Sequence, residues 1–99
     1  MLSYEYSLDA QSDLIEIAEY TRESFGLEQV KRYKELLREG VETVCQFPKI
    51  GREYKRVRGN LRRFPVREHV LYYRIYKDYI RIERILSANQ DPLHQFSNQ

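Results

Sequence analysis

The sequence predicts an α+β fold: an antiparallel helical hairpin packed on a mostly antiparallel four-stranded sheet, in the order β-α-α-β-β-β, with a short C-terminal helix. Three observations carry this. The chain opens on a two-residue alternation of apolar and polar side chains. Two stripes of helical period follow, parted by little more than Gly26. Three strand patterns then fill residues 61–86, with short connections that force neighbouring strands to run antiparallel. Residues 1–99 form one domain, near the commonest domain size, without repeats, linkers or low-complexity segments.

Each element follows from local chemistry. Leu2, Tyr4, Tyr6 and Leu8 alternate with Ser3, Glu5 and Ser7, a half-buried strand pattern. Ser7 or Asp9 can cap the next helix, because a short oxygen side chain accepts the orphaned N–H groups of a first turn. Ala10, Leu14, Ile17, Ala18, Thr21 and Phe25 then make one apolar stripe, and Gly26 can end it. The second helix buries Val30, Tyr33, Leu37, Val41 and Val44, while Lys31, Glu35, Arg38, Glu39 and Glu42 face water. Lys31/Glu35 and Arg38/Glu42 are spaced for i,i+4 ion pairs. Pro48 stops that helix, and 48–60 is a loop punctuated by Gly51, Gly59 and Asn60.

Strands are expected at Leu61–Arg67, His69–Tyr76 and Tyr79–Leu86, the last two joined by Lys77-Asp78 as a tight hairpin. Pro65 has no N–H to donate, which puts its strand at an edge or a bulge. Asp91-Pro92 resembles a cap and first helical residue for a short helix through Phe96.

Charge is divided by position. Residues 1–48 hold five Lys/Arg against ten Asp/Glu, and residues 49–99 hold twelve against five. The overall charge of +2 hides this asymmetry. Lys49, Arg52, Lys55, Arg56, Arg58, Arg62, Arg63 and Arg67 crowd one stretch, with Glu53 alone among them. Such a block calls for an anionic counterpart: nucleic acid, a phosphate-bearing substrate or an acidic protein. The bland reading is a solvated loop and edge strand. No apolar run approaches the ~20 residues of a membrane span, and no signal segment opens the chain, so a cytoplasmic location is expected. Cys45 stands alone in a helical apolar pattern, which reads as a buried structural thiol and leaves no disulfide. Nine tyrosines without a tryptophan suit a half-wet sheet face or a partner-binding surface.

Strict alternation on the last strand puts Ile80, Ile82, Arg84 and Leu86 on one face. Arg84 there needs either a salt bridge or an anion, the latter in a concave site shared with Arg62 or Arg63. His69 opens the central strand and reads as a hydrogen-bonded structural residue before a catalyst. His69 and His94 lack metal-ligand spacing, no nucleophile–base pair can be assembled, and Gly51 and Gly59 are too isolated for a phosphate loop. No metal or cofactor is expected.

Several segments recur together in one known family. Tyr6-Ser7-Leu8 leads to Ala10, Asp13-Leu14, Ile17 and Tyr20-Thr21, then to Phe25-Gly26, Glu28-Gln29 and Tyr33. Phe47-Pro48-Lys49-Ile50-Gly51-Arg52 is similar to the Pro-x-x-Gly turn after that family's second helix. Gly59-Asn60-Leu61-Arg62-Arg63-Phe64, with His69 and Tyr72-Tyr73-Arg74, looks like its arginine-rich strand and hairpin. Ile82-Glu83-Arg84-Ile85-Leu86 and Asp91 resemble its closing signature. Across most of its length the chain thus resembles the ParE branch of the RelE/ParE toxins of bacterial toxin–antitoxin systems. One departure is Ser87, where many members carry histidine after the closing Arg-x-Leu.

The resemblance implies a toxin that poisons DNA gyrase and is neutralised by direct binding of a cognate antitoxin. The sister RelE branch instead cuts mRNA on the ribosome, which needs acid–base groups as well as cations. After Arg84 come Ile85, Leu86, Ser87, Ala88 and Asn89, none of them an acid or base at neutral pH. A non-enzymatic toxin is therefore expected, with no catalytic residue. The mRNA endoribonuclease and a non-toxic, antitoxin-binding co-repressor are the alternatives. The expected partner-binding set, for antitoxin or target, is Arg58, Arg62, Arg63, His69, Tyr73, Arg74 and Arg84. The antitoxin is expected to wrap the helical hairpin and cross the sheet, its acidic residues meeting the basic patch. Sequence-specific nucleic-acid binding by the toxin alone is not expected, and a homodimer or larger toxin–antitoxin assembly is left open.

Overall fold

The computed structural model describes residues 1–96. The chain opens on β1 (Ser3–Tyr6), shorter than its alternating pattern because Ser7 turns it into α1 (Leu8–Phe25). Ser7, not Asp9, is the cap: its Oγ accepts from the Ala10 N–H at 3.0 Å. The same hydroxyl donates to the Glu83 carbonyl at 2.7 Å, so the cap also fixes the helix to the far end of the chain. Leu8, placed by alternation on the strand's buried side, is instead the exposed first residue of α1.

Gly26, at φ 90°, closes α1 with its N–H on the Arg22 carbonyl and serves as the N-cap of α2 (Leu27–Gln46). With one residue between them, the helices can only fold back on each other. Tyr33, Leu37, Val41, Val44 and Cys45 on α2 are buried. On its wet face Arg38 holds both Glu35 and Glu42, and Lys31 turns to Glu28 at 3.9 Å. The expected Lys31/Glu35 pair thus gives way, because Arg38 offers Glu35 a planar two-pronged partner.

The sheet has five strands rather than four, in the order β1-β5-β4-β3-β2, comprising β2 (Arg52–Glu53), β3 (Arg62–Val66), β4 (His69–Ile75) and β5 (Tyr79–Ser87). The extra strand, β2, pairs Arg52 with Arg63 and Glu53 with Arg62. Two residues carry no periodicity, so no pattern announced it. β1 joins β5 in parallel and every other pair is antiparallel. Pro65 lies beyond the reach of β2, so its missing N–H falls on an open edge, as its chemistry requires. Tyr76 and Tyr79 close the β4–β5 hairpin around Lys77-Asp78, their rings stacked at 4.9 Å. The last described element is α3 (Pro92–Gln95), capped by the Asp91 carboxylate on the Leu93 N–H at 3.0 Å.

A bulge on β5 corrects the face assignment made from strict alternation. The register passes from Tyr73 opposite Ile82 to Tyr72 opposite Arg84, leaving Glu83 as the extra residue. One inserted residue reverses a period of two. Ile80, Ile82 and Ile85 therefore join the helix-side core with Leu37, Val41, Val44, Leu71 and Tyr73. Leu86 belongs to a second cluster on the other face, with Leu61, Val70, Tyr72 and Phe96, roofed by Tyr54 and Val57. Burying such a side chain contributes roughly 1.5–3 kcal/mol, so both faces are held by apolar contact. Among the described residues no helix is long and apolar enough to cross a membrane.

Candidate functional site

The strand arginines are placed by their partners. Arg84 binds the Asp13 carboxylate with two nitrogens, each at 2.9 Å, and donates to the Gln95 side-chain oxygen at 3.1 Å. Asp13 also accepts the Ile85 N–H at 2.9 Å. The α1 carboxylate and the closing-strand guanidinium, 71 residues apart, thus form one buried joint between α1, β5 and α3. The hydrogen bonds to Asp13 hold the Arg84 guanidinium above its ordinary value, outweighing the opposite pull of burial. The salt-bridge reading of Arg84 is the one the geometry satisfies. The shared anion site with Arg62 or Arg63 is not assembled. In register, Arg63, Tyr72 and Arg84 lie on three successive strands, with Arg84 drawn away to Asp13.

A second joint secures the loop after α2. Tyr73 is fully buried, its hydroxyl donating to the Pro48 carbonyl at 2.7 Å and accepting from the Gly51 N–H at 2.9 Å. A side chain at position 51 would put its Cβ 2.4 Å from that hydroxyl, so the close approach requires glycine. Arg62 donates to the Gly51 carbonyl at 2.7 Å and sits 3.7 Å from Glu53. Arg74 donates to the carbonyls of Arg58 and Gly59, at 2.9 and 2.8 Å, and to Glu83 at 2.8 Å. Arg63 lies over the rings of Tyr54 and Tyr72, at 5.7 and 5.6 Å, within cation–π range. Arg58 alone of the expected arginines contributes only its backbone to these contacts, and its side chain is exposed.

His69 stands at the other end of β4. Its Nδ1 meets the Tyr33 hydroxyl at 2.5 Å, which fixes the helical hairpin to the sheet. Burial pushes the imidazole below its ordinary value, against the attraction of Glu68 and Asp13, and the tautomer of the neutral ring sets which partner donates in the Tyr33 contact. Beside this pair opens a cleft of about 1080 Å³ between the hairpin and the sheet, lined among others by Tyr20, Phe25, Arg32, Arg67 and Ser87. Tyr20 and Phe25 are exposed there. Among the described residues no three His, Cys, Asp or Glu side chains gather where they could hold a metal ion.

The structure thus divides the expected set into an Arg84 joint, a loop clamp of Arg62, Tyr73 and Arg74, a stacked Arg63, a His69–Tyr33 contact and an outward Arg58. Asp13 and Tyr33 entered the family resemblance but were not placed among the expected site residues. Asp13 did carry a signal: three residues from Ala10 and four from Ile17, it is a charge set into an apolar stripe, and such a charge needs a partner. Tyr33 read only as a core position, and nothing local announced its hydroxyl's partner.

Residues 4–92 match the family described as the ParE toxin of the type II toxin–antitoxin system, parDE. Toxin ParE1 of Caulobacter vibrioides is 31% identical over 75 residues, covering 76% of this chain and 78% of its own. Toxin ParE1 of Mycobacterium tuberculosis is 29% identical over 89 residues, covering 89% and 91%. A solved chain of the chromosomal ParDE TA system from P. aeruginosa superposes with a TM-score of 0.75 at 22% identity. That likeness covers 88% of this chain and 96% of the other, and it bears on the fold alone. A match over nearly the whole length, running through the Asp13–Arg84 joint, settles the family: the chain belongs to the ParE toxins of type II toxin–antitoxin systems.

Proposed function

We propose that this toxin poisons DNA gyrase by binding, without chemistry of its own, and that a cognate antitoxin neutralises it by direct contact. The observation that carries the non-catalytic reading is the commitment of the reactive side chains. Arg62, Arg74 and Arg84 are bound to carbonyls and carboxylates, and the Nδ1 of His69 is taken by Tyr33. Cutting RNA at a ribose 2′-hydroxyl asks for an uncommitted acid and base on either side of the phosphate. Past Arg84 the chain offers Ile85, Leu86 and Ser87 in their place.

Contact with an antitoxin is supported by exposed apolar surface on and beside the helical hairpin. Tyr4, Ile15, Tyr20, Phe25 and Leu27 are all solvent-accessible, more than a chain working alone needs to leave open. A segment that folds as it binds can cover such a surface and supply apolar anchors for affinity.

The test is a supercoiling assay with purified toxin, gyrase, ATP and plasmid, quenched with detergent and protease. Accumulation of linear DNA is the expected result. Unaltered supercoiling at excess toxin, with mRNA fragments appearing only in the presence of translating ribosomes, would replace this reading with the endoribonuclease. A chain harmless when expressed without its antitoxin would leave the co-repressor.

A further inference from the structure

The clamp formed by Arg62, Tyr73 and Arg74 holds a segment whose own cations face outward. Residues 48–60 are tied at Pro48 and Gly51 by the Tyr73 hydroxyl and Arg62, and at Arg58 and Gly59 by Arg74. The Tyr54 N–H bonds the Leu61 carbonyl at 2.8 Å, drawing the ends of the intervening loop together. Tyr54, Val57 and Leu61 turn inward onto the second apolar cluster. What remains outside is Lys49, Arg52, Lys55, Arg56 and Arg58, all exposed. Glu53, the one carboxylate of the segment, already lies 3.7 Å from both Lys55 and Arg62. Arg52 stands directly opposite Arg63 in the sheet, a like-charge pairing that costs stability unless an anion relieves it.

We infer that this platform, β2 and the loop through Asn60, binds the phosphodiester backbone of duplex DNA without regard to sequence. Two features favour a backbone over an acidic protein. Protein interfaces are built around buried aromatic and apolar anchors. Within residues 52–60 no large apolar side chain is exposed, Tyr54 and Val57 being partly buried on the second cluster, and the exposed Phe47 and Ile50 lie before β2. A phosphate backbone needs only cations and polar groups at a fixed spacing, which a pinned loop supplies. The distribution of charge adds orientation. The two helices carry five Lys/Arg against nine Asp/Glu, so a polyanion is repelled from the hairpin side and drawn to the platform. The choice of DNA over other nucleic acids rests on the gyrase reading above, since gyrase holds duplex DNA. The backbone contact itself does not.

The test uses the full chain and no gyrase, so its failure is distinct from failure of the supercoiling assay. Fluorescence anisotropy of labelled 20-bp duplexes, of two unrelated sequences and about that length, is followed across salt concentration. The expected result is equal affinity for both sequences and a log–log salt slope of roughly −3 to −4, for about four phosphates neutralised. The triple variant R52Q/R56Q/R58Q should weaken binding at least tenfold at low salt and flatten the slope by about 2–3. A triple variant of equal charge on the helices, R22Q/R32Q/K34Q, should change neither by more than about twofold. Unchanged circular dichroism and thermal midpoints establish that both variants fold. Equal losses in the two triples would reduce the effect to bulk charge and overturn the platform. So would undetectable binding at low salt, and so would poly-glutamate of matched charge competing as well as unlabelled duplex, which would make the surface an acidic-protein site.

Discussion

Arg74 and Arg58 lie side by side and do opposite things. Arg74, on β4, spends its guanidinium on two backbone carbonyls and a carboxylate. Arg58, on the loop, lends only its carbonyl to that contact and leaves its charge in water. The same contrast separates Arg84 and Arg62, on β5 and β3, from Arg56 in the loop, while Arg52 is exposed on the two-residue edge strand β2. A strand flanked on both sides fixes the Cα and aims the side chain, so a long guanidinium there becomes a structural tie. A loop arginine has no such constraint and remains available to a partner. The basic block is thus two populations: one builds the platform and the other faces away from it.

The sharpest way to break this contrast is at the deepest tie. Asp13→Ala leaves the Arg84 guanidinium buried without its carboxylate and orphans the Ile85 N–H. The expected loss is about 3–5 kcal/mol, read as a lower urea midpoint with an unchanged m-value. A loss below about 1 kcal/mol would mean that Arg84 is as free as a loop residue. Next comes the neighbouring pair. Arg74→Gln leaves Glu83 to Arg81, frees two loop carbonyls and should cost about 2 kcal/mol, whereas Arg58→Gln should leave the midpoint where it was. Equal losses in the two would erase the distinction between strand and loop arginines.

How much of this could be read from the sequence differed between the two populations. The helical hairpin, the Asp91 cap and the strands around Lys77-Asp78 follow from local rules, because caps, stripes and turn residues act within a few positions. What escaped was non-local. At the bulge the Glu83 carbonyl accepts from Ser7, 76 residues away, as β1 ends opposite Ile82, and no window along the chain contains both. The two-residue β2 is defined only by its pairing with Arg62 and Arg63. The arginine cluster was visible as composition. Which arginines were spent and which were free depended on carbonyls of Gly51, Arg58 and Gly59, groups that every residue has and no sequence pattern marks.

His69 extends the contrast to a group whose commitment a proton can change. Folding lowers the imidazole below its ordinary value of 6.5 because burial penalises the charged ring more than Glu68 and Asp13 favour it. Above that value both folded and unfolded chains hold a neutral histidine, and His69 adds no pH dependence. As pH falls through 6.5 the unfolded chain takes up the proton first, so stability drops until the pH passes the lowered folded value. Protonation makes both ring nitrogens donors, so the Tyr33 hydroxyl can then only accept from Nδ1. Urea midpoints compared at about pH 7.5 and about pH 5 should therefore fall further for the natural chain than for His69→Gln, which keeps a polar side chain but cannot titrate. The carboxylates common to both chains cancel in that difference. Parallel curves would mean that burial does not hold the ring neutral, and that His69 belongs with the uncommitted loop residues.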